Sequence, residues 1–391
     1  MNERERFAAV ADFEEPDYVP IFAFGGAPGM SGGCMKKTHH RLVETGMPAH
    51  VRGVWRLDEG IEGVESWRRY WGTSGPIGPG FSMAWGEEGF KRSRRIENGF
   101  EIIESESGAV VRQVIDNNIT YSMPDFIRFA VRDRESWEFY KERNTPRVFI
   151  SPEEMEARAR ELDERDRPLA VSGGGVYGFL RGLFGPEGLS LMLYDDPELI
   201  HEITAWRLAR LRHYSFPLIE RLKPEIVVWG EDLCYNHGML LSPRHFHEFC
   251  GPIYREQCEC ARENGAHMIS VDTDGSIMEF TGIAEPYGVN CLHPCEVKAG
   301  NDLFKLREQH PRFIFMGWLE KECINEGNGH MIEPEIMGKV PAMRKLGGYF
   351  PNGDHGIQPL ATFGNLCKFM TILHEECGNP EGEFPRTTRG L

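Results

Sequence analysis

Chemically reactive side chains of this chain concentrate in short polar stretches that directly follow apolar ones. These stretches are WGEDLCYNHG, SVDTDGS, LHPCEV, MGWLEK and PNGDHG. Together they supply Glu231, Asp232, Asp272, Asp274, His293, Cys295, Glu296, Glu320, Asp354 and His355. Carboxylates combined with a thiol and imidazoles suit either general acid–base catalysis or Zn²⁺, which takes Cys, His and Asp/Glu ligands.

Each of these residues also has a purely structural interpretation. Asp272 and Asp274 can cap a helix or hold a turn. His293 and Cys295 lie two apart and share one face if they lie on a strand, but singly they suit a core histidine and a buried thiol. His355 can stabilise a loop. Only the convergence of several such residues at one place favours a functional site.

Short apolar segments alternating with amphipathic helices predict how these residues are positioned. The strand candidates span residues 168–175, 225–232, 267–275, 289–297, 313–320 and 347–355, and helices are expected between them, for example over 242–265 and 331–347. This alternation implies a parallel sheet, and its repetition favours an α/β (β/α)8 TIM barrel. In such barrels the chemistry gathers at the carboxyl ends of the strands.

The N-terminal third has a different pattern. A short helix is expected from Asn2 to about Phe13, followed by an apolar strand, Val19 to Gly26, and a glycine-rich loop. Residues 76–125 alternate polar and apolar residues around turn pairs, which predicts a β-hairpin insertion that serves as a lid. We expect one domain over residues 1–391, with 378–391 as a polar tail.

Composition narrows the class of protein. The 391 residues carry 44 Lys and Arg against 60 Asp and Glu, a formal net charge of −16, which argues against nucleic acid or an anionic membrane as partner. The start of the chain is charged and no apolar run is long enough to span a membrane. The ten scattered cysteines indicate reduced thiols, several of them in the core, and a cytoplasmic location.

The motifs at the predicted strand ends resemble those of the uroporphyrinogen decarboxylase superfamily over nearly the whole length. The similar segments are RERFAAVADFEEPDYVPIF, GGGVYGFLRGLFGPEGLSLMLYDDPELI, WGEDLCYNHGMLLSPRHFHEFCGPIYREQ, GAHMISVDTDGSI, CLHPCEVKAGNDLFKLREQHP, FMGWLEK and GGYFPNGDHGIQP. The resemblance implies a single-domain TIM barrel.

This superfamily contains two chemistries. The decarboxylases of haem synthesis pair the many carboxylates of their substrate with N-terminal arginines. Here the corresponding loop, GGAPGMSGGCMKKTHH, contains no arginine and only Lys36 and Lys37. Decarboxylation of a porphyrinogen is therefore disfavoured.

The other branch moves methyl groups to or from a corrinoid that a partner protein carries. Its thiol-methylating members bind zinc through a His-x-Cys pair and a later Cys. Alignment puts Asp272 and Asp274 at the first pair and His355 at the last position, so the thiol-methylating pattern is not kept. Oxygen and nitrogen ligands would make a harder zinc that could polarise a methoxy oxygen.

From this resemblance we expect an enzyme of anaerobic one-carbon metabolism, a corrinoid-dependent methyltransferase that acts on a small, possibly methoxylated substrate by O-demethylation. The expected metal ligands, for zinc, are Asp274, Cys295, Glu296 and His355, and the expected catalytic residues are Asp232, Tyr235 and Asp272. No corrinoid-binding Asp-x-His-x-x-Gly motif occurs, so the corrinoid must come on a separate protein.

Two other functions stay open: a metal-free carboxy-lyase related to the decarboxylases, and a non-catalytic tetrapyrrole-binding barrel. The sequence leaves the substrate, the direction of transfer and the oligomeric state undetermined, a homodimer being one candidate.

Overall fold

The computed structural model describes residues 1–24, 33–56, 60–80, 92–105, 107–116, 119, 124–144 and 151–387. Within them the α-helices are α1 (Glu3–Ala11), α2 (Lys36–Glu44), α3 (Val64–Trp71), α4 (Arg134–Arg143), α5 (Pro152–Asp163), α6 (Tyr177–Asp195), α7 (Pro197–Arg210), α8 (Phe216–Leu222), α9 (Pro243–His245), α10 (Gly251–Glu263), α11 (Phe280–Ala284), α12 (Leu303–Gln309), α13 (Ile332–Met337), α14 (Val340–Leu346) and α15 (Phe363–Cys377). The strands are β1 (Cys34–Met35), β2 (Val54–Arg56), β3 (Gly60–Glu62), β4 (Ser93–Glu97), β5 (Phe100–Glu104), β6 (Val110–Val114), β7 (Asp125–Arg128), β8 (Ala170–Ser172), β9 (Ile226–Gly230), β10 (Cys234–Tyr235), β11 (Gly238–Met239), β12 (Met268–Asp272), β13 (Cys291–His293), β14 (Ile314–Leu319) and β15 (Tyr349–Gly353).

A parallel six-stranded sheet forms the centre of the molecule, in the order β15-β14-β13-β12-β9-β8. Each of its strands lies inside one of the six segments that the sequence predicts. Every residue of β14 is buried, as expected for a parallel strand covered on both faces. The α/β class is therefore confirmed.

The hydrogen-bonded sheet is open and not the closed eight-stranded sheet that the sequence predicts. Where two further strands would complete it, the structure has only isolated parallel bridges, Phe22 with Ser74 and Ile77 with Leu169. Pro20 and Pro76 lie in these segments, and a proline has no N–H to donate to a ladder, which explains why the pairing stays short.

Antiparallel strands β4 to β7 form a separate four-stranded sheet, in sequence order, between residues 93 and 128. This sheet falls mostly within the segment predicted as a hairpin insertion. Residues 81–91, 106, 117–118 and 120–123 of that segment lie outside the described residues, as do 25–32 of the glycine-rich loop and 388–391 of the tail.

Two predicted helices are interrupted in the structure, both close to a proline. Over 331–347 the chain forms α13 and α14 instead of one helix, with Pro341 in the first turn of α14. Over 242–265, a π-helical turn from Phe246 to Cys250 separates α9 from α10, just before Pro252. A proline cannot continue the hydrogen bonds of the preceding turn, so the first helix is broken before Pro341, whereas the second stays helical through a π-bulge before Pro252.

The core surrounds the central sheet and reaches the C-terminal segment. The Phe384 ring is buried against Trp71, with the ring centroids 5.3 Å apart, so part of the tail packs on the domain. All ten cysteines are buried and unpaired with one another, which confirms the prediction that several of them lie in the core. Among the described residues no helix is long and apolar enough to cross a membrane.

Candidate functional site

Neighbouring strands of the sheet place three residues side by side at its carboxyl edge. Gly230 at the end of β9 pairs with Asp272 at the end of β12, and Asp272 pairs with His293 at the end of β13. Paired residues of parallel strands point to the same face, so Asp272 and His293 face the same space. The sheet register therefore brings predicted residues from distant parts of the sequence into one cluster.

Asp272 has the most perturbed acidity in this cluster. Burial raises the pKa of Asp272 to about 7, with further contributions from the negative charges of Asp274 and Asp232. The side chain is nonetheless 43% exposed, so it is reachable from the open edge of the sheet while the strand ends around it displace much of its hydration. At neutral pH this carboxyl group is poised to give or take a proton.

Asp274 and His355 form an ion pair at the same edge, with Asp274 Oδ1 and His355 Nε2 3.6 Å apart. Burial raises the pKa of Asp274, but the hydrogen bond and positive charge of His355 outweigh it and the pKa is lowered. In return, the hydrogen bond to Asp274 raises the pKa of His355 against the effect of burial. The pair thus favours a carboxylate next to an imidazolium.

His293, in contrast, is held neutral. Burial lowers its pKa to about 3. Its Nδ1 lies 2.9 Å from the hydroxyl of Ser270, and its Nε2 lies 3.8 Å from Asp272 Oδ1. The ring of Phe24 packs over it, with the centroids 4.6 Å apart. A neutral imidazole has one nitrogen that donates and one that accepts, and 3.8 Å is longer than a hydrogen bond, so His293 lies beside Asp272 without a direct hydrogen bond to it.

Asp232 lies on the turn that follows β9, and Tyr235 ends the short strand β10 just after it. Arg181 of α6 donates to Asp232 Oδ2 at 2.7 Å, and Asp232 has a positive φ of 43°, which is uncommon for a residue other than glycine. The Thr273 hydroxyl accepts hydrogen bonds from the next two backbone N–H groups of this turn. Tyr235 is exposed. Arg181 is a site residue that the sequence analysis missed, although it lies within the segment GGGVYGFLRGLFGPEGLSLMLYDDPELI.

The side chains of Cys295, Glu296 and Asp354 form hydrogen bonds with the backbone of β13 and of the loops after β12, β13 and β14. Cys295 is fully buried, its thiol donates to the Leu292 carbonyl at 3.3 Å, and burial raises its pKa well above the usual range. Glu296 accepts from the Gly275 N–H at 2.9 Å. The Asp354 carboxylate is fully buried and accepts from the N–H groups of Val297 and Lys321, at 2.8 and 3.1 Å.

Lys321 links these acidic residues. Its ammonium lies 3.5 Å from Glu296 and 3.6 Å from Asp354. The sequence analysis did not single it out, although it directly follows Glu320 in one of the polar stretches. Glu320 itself is buried and accepts from the Glu322 N–H at the start of a 3-10 turn.

The expected zinc ligands do not fit a single metal site in this arrangement. Among the described residues no three His, Cys, Asp or Glu side chains are grouped so that they could hold a metal ion. Of the four expected ligands, Asp274 and His355 approach each other, whereas Cys295 is directed to a backbone carbonyl and Glu296 to a backbone N–H.

Glu231, also a candidate from sequence, has a structural role. It is fully buried and accepts from the N–H groups of Val176 and Gly178 and from the Tyr254 hydroxyl, at 2.8, 2.5 and 2.9 Å. These bonds fix the start of α6 against the end of β9. Glu231 thereby positions the segment that carries Arg181.

Comparison with known proteins finds a similar fold and no similar sequence. No protein family and no curated protein matches the sequence. The structure is similar to that of a methyltransferase from Methanosarcina mazei, with a TM-score of 0.56 over 97% of this chain and 98% of that one. The two sequences are 12% identical, so the similarity is one of fold.

Proposed function

We propose that this protein is a methyltransferase of the uroporphyrinogen decarboxylase type that moves a methyl group between a small methylated substrate and a corrinoid on a separate protein. The observation that carries the proposal is the cluster of Asp272, His293 and the Asp274–His355 pair at the carboxyl edge of the sheet. The end-to-end similarity to the fold of a methyltransferase supports it.

The proposed fold is the complete TIM barrel, with residues 19–24 and 73–77 as its first two strands. Backbone hydrogen bonds support this order, because Ser74 exchanges bonds with Ile21 and Ala23, and Ile77 with Pro168 and Ala170. On the other side, the Asn352 side chain donates to the Phe22 carbonyl at 3.2 Å. The barrel would then be closed by side-chain packing where the backbone ladder stops.

In the proposed reaction, Asp272 handles the proton. A reduced corrinoid, when its carrier protein is docked, would supply the nucleophile that accepts the methyl group. As the bond between the methyl carbon and the substrate oxygen breaks, the electron pair stays on that oxygen, and the neutral carboxylic acid of Asp272 protonates it. The neutral ring of His293 lies beside this carboxyl group, and the Asp274–His355 pair holds a hydrogen-bond donor at the same edge. Asp232 and Tyr235 contact the remainder of the substrate in this proposal.

No step of this reaction passes through zinc, because the expected ligands are not arranged as one set. Elemental analysis tests this point. If it finds close to one zinc ion per chain, and if His355→Ala loses that zinc, the site must rearrange to bind the metal and the Lewis-acid mechanism becomes the favoured one.

The proposal is tested by methyl transfer from methoxylated donors to cob(I)alamin under anaerobic conditions. Asp272→Asn is expected to lower kcat by about 10²-fold or more, the range for a general acid. Asp163→Asn, an exposed carboxylate at the end of α5, serves as the matched control and should keep full activity. Unchanged turnover in Asp272→Asn would remove the assigned role, and carbon dioxide release from a porphyrinogen would favour the lyase.

A further inference from the structure

A cavity of about 510 Å³ lies at the start of β15, at the end of the sheet opposite to the candidate site. Tyr349, the first residue of β15, lines this cavity, whereas Asp354 and His355 follow the last residue of that strand. Residues of α1, of the turn after it, of α14 and of α15 also line it. Its volume is in the range found for small-molecule pockets.

Apolar side chains give this cavity a buried wall. Val10, Val19 and Tyr349 line it and are almost entirely buried. Phe13 lines it as well, and the guanidinium carbon of Arg307 lies 4.9 Å from the centroid of the Phe13 ring. This wall is preformed by packing, and it suits the apolar part of a ligand.

Charges of both signs line the same cavity. Arg344 and Lys345 belong to the last turn of α14, and Glu14 and Glu15 belong to the turn after α1. Glu376 of α15 is a third carboxylate. Within the part of the chain that the structure describes, neither Arg344 nor Lys345 forms an ion pair with any of these carboxylates. The two signs of charge therefore face one cavity without neutralising each other directly.

Arg344 is the least satisfied of these groups. Its guanidinium has no hydrogen-bond partner among the described residues, and its Nε is buried. A buried N–H group without a partner is unfavourable, so native structures usually satisfy such groups with protein, water or ligand atoms. A guanidinium is also the side chain best suited to bind a carboxylate, because its planar N–H groups can donate two hydrogen bonds at once.

We infer that this cavity binds a free α-amino acid with an apolar side chain, whose carboxylate pairs with Arg344 and whose ammonium group pairs with Glu14 and Glu15. A zwitterion satisfies both signs of charge, whereas a ligand with a single charge leaves the opposite sign unpaired and meets a like charge as well. The apolar side chain of the amino acid lies against the buried apolar wall.

The test is calorimetric titration of the full-length protein with L-leucine and with two analogues that each lack one charge. The analogue 3-methylbutylamine lacks the carboxylate, and 4-methylpentanoate lacks the ammonium group. We expect L-leucine to bind saturably and each analogue to bind at least about tenfold more weakly, because each loses a charge-assisted hydrogen bond.

Variants assign each charge of the ligand to its wall. Arg344→Gln should weaken L-leucine by about tenfold or more and should not weaken 3-methylbutylamine, which has no carboxylate. The double variant Glu14→Gln and Glu15→Gln should weaken L-leucine and should not weaken 4-methylpentanoate. Arg212→Gln is the matched control, since Arg212 is exposed, pairs with Glu256 and does not line the cavity.

Absence of saturable L-leucine binding, or equal L-leucine affinity in Arg344→Gln and Arg212→Gln, would overturn the inference. Equal affinities of the wild-type protein for L-leucine and 4-methylpentanoate would overturn it as well, because the cavity would then be a site for an anion only. If Arg344→Gln fails to fold, the wild-type protein still decides, because equal affinities for L-leucine and 3-methylbutylamine would remove the role of the carboxylate and with it the inference.

This inference goes beyond the proposed function and does not rest on it. L-leucine binding that depends on Arg344, without methyl transfer from any donor, would keep this site and overturn the methyltransferase. Methyl transfer without L-leucine binding would overturn the amino-acid site and leave the methyltransferase.

Discussion

Replacing Asp272 by Asn should stabilise the protein, and the gain should grow with pH. Burial and the charges of Asp274 and Asp232 raise the pKa of Asp272 from 3.8 to about 7. A carboxyl group with a raised pKa in the folded state binds its proton more tightly there than in the unfolded chain. Its penalty on folding is therefore absent below pH 3.8, develops as the pH rises, and is complete above pH 7. Asn carries no charge and escapes this penalty.

The size of the gain follows from the two pKa values. The difference between 3.8 and about 7 corresponds to about 4 kcal/mol, at about 1.4 kcal/mol for each pKa unit. Because the side chain is 43% exposed, solvent screens much of this energy, and we expect about 1–2 kcal/mol at pH 8. At pH 5 the gain should be roughly two fifths of that, because the penalty grows from the unfolded pKa of 3.8 to the folded pKa of about 7.

The assay is urea unfolding of the wild type and Asp272→Asn at pH 5, 6, 7 and 8.5, with the difference in unfolding free energy taken at each pH. Titrating groups that do not interact with Asp272 contribute equally to both proteins and cancel. Asp274→Asn should change the unfolding free energy in the opposite direction and destabilise the protein. The lowered pKa of Asp274 stabilises the fold above pH 3.8, and the variant loses this contribution. A difference for Asp272→Asn that is constant with pH, or that decreases as the pH rises, would refute the reasoning.

Further predictions concern stability and reactivity. Glu225→Ala should lower the unfolding free energy by about 3–5 kcal/mol in urea titrations. In the wild type the buried guanidinium of Arg165 lies 2.7 Å from the Glu225 carboxylate, and the variant leaves this buried charge without a carboxylate partner. Gly275→Ala should cost about 1–3 kcal/mol by the same measurement, since φ is +86° and a Cβ would lie 2.5 Å from the Tyr235 backbone; normal stability would contradict the observed turn. Native protein at pH 8 should resist alkylation by iodoacetamide, as shown by mass spectrometry, because every cysteine is buried and burial raises the pKa of thiols such as Cys295.

The sequence predicts the six central strands well because their signal is local. Runs such as IVVWG and IFMGWL are apolar, short and bounded by polar residues, and this is how a strand buried on both faces appears in sequence. The two missing ladders have a local cause too, since Pro20 and Pro76 interrupt the pairing, but their effect depends on which strand lies next to them. Pairing is a property of two segments, so one segment cannot reveal it.

Candidate site residues were predicted in part. The register placed Asp272 and His293 together, which follows from their positions at the ends of consecutive strands. Side-chain direction was not accessible from sequence, and it is what separates Cys295 from the cluster: at φ 58° the chain turns and the thiol reaches the Leu292 carbonyl. Arg181 was missed because nothing in a glycine-rich helix start reveals a carboxylate partner 51 residues later.

Carboxylates at the strand ends are divided between two tasks, and accessibility separates them. Asp354 is fully buried and accepts from backbone N–H groups of the loops after β13 and β14, so its carboxylate holds these loops and is not accessible to a ligand. Among the described residues, no backbone N–H group donates to the side chain of Asp272, which stays accessible from the edge of the sheet. Burial and the neighbouring negative charges raise its pKa to about 7, so the carboxyl group is still partly protonated at neutral pH. Backbone donors oppose the effect of burial on the pKa of Asp354, but burial still raises it, and the same donors hold that carboxyl group in place. Asp272, in the described part of the chain, combines a raised pKa with access from the open edge of the sheet, which makes it the group at this edge suited to proton transfer.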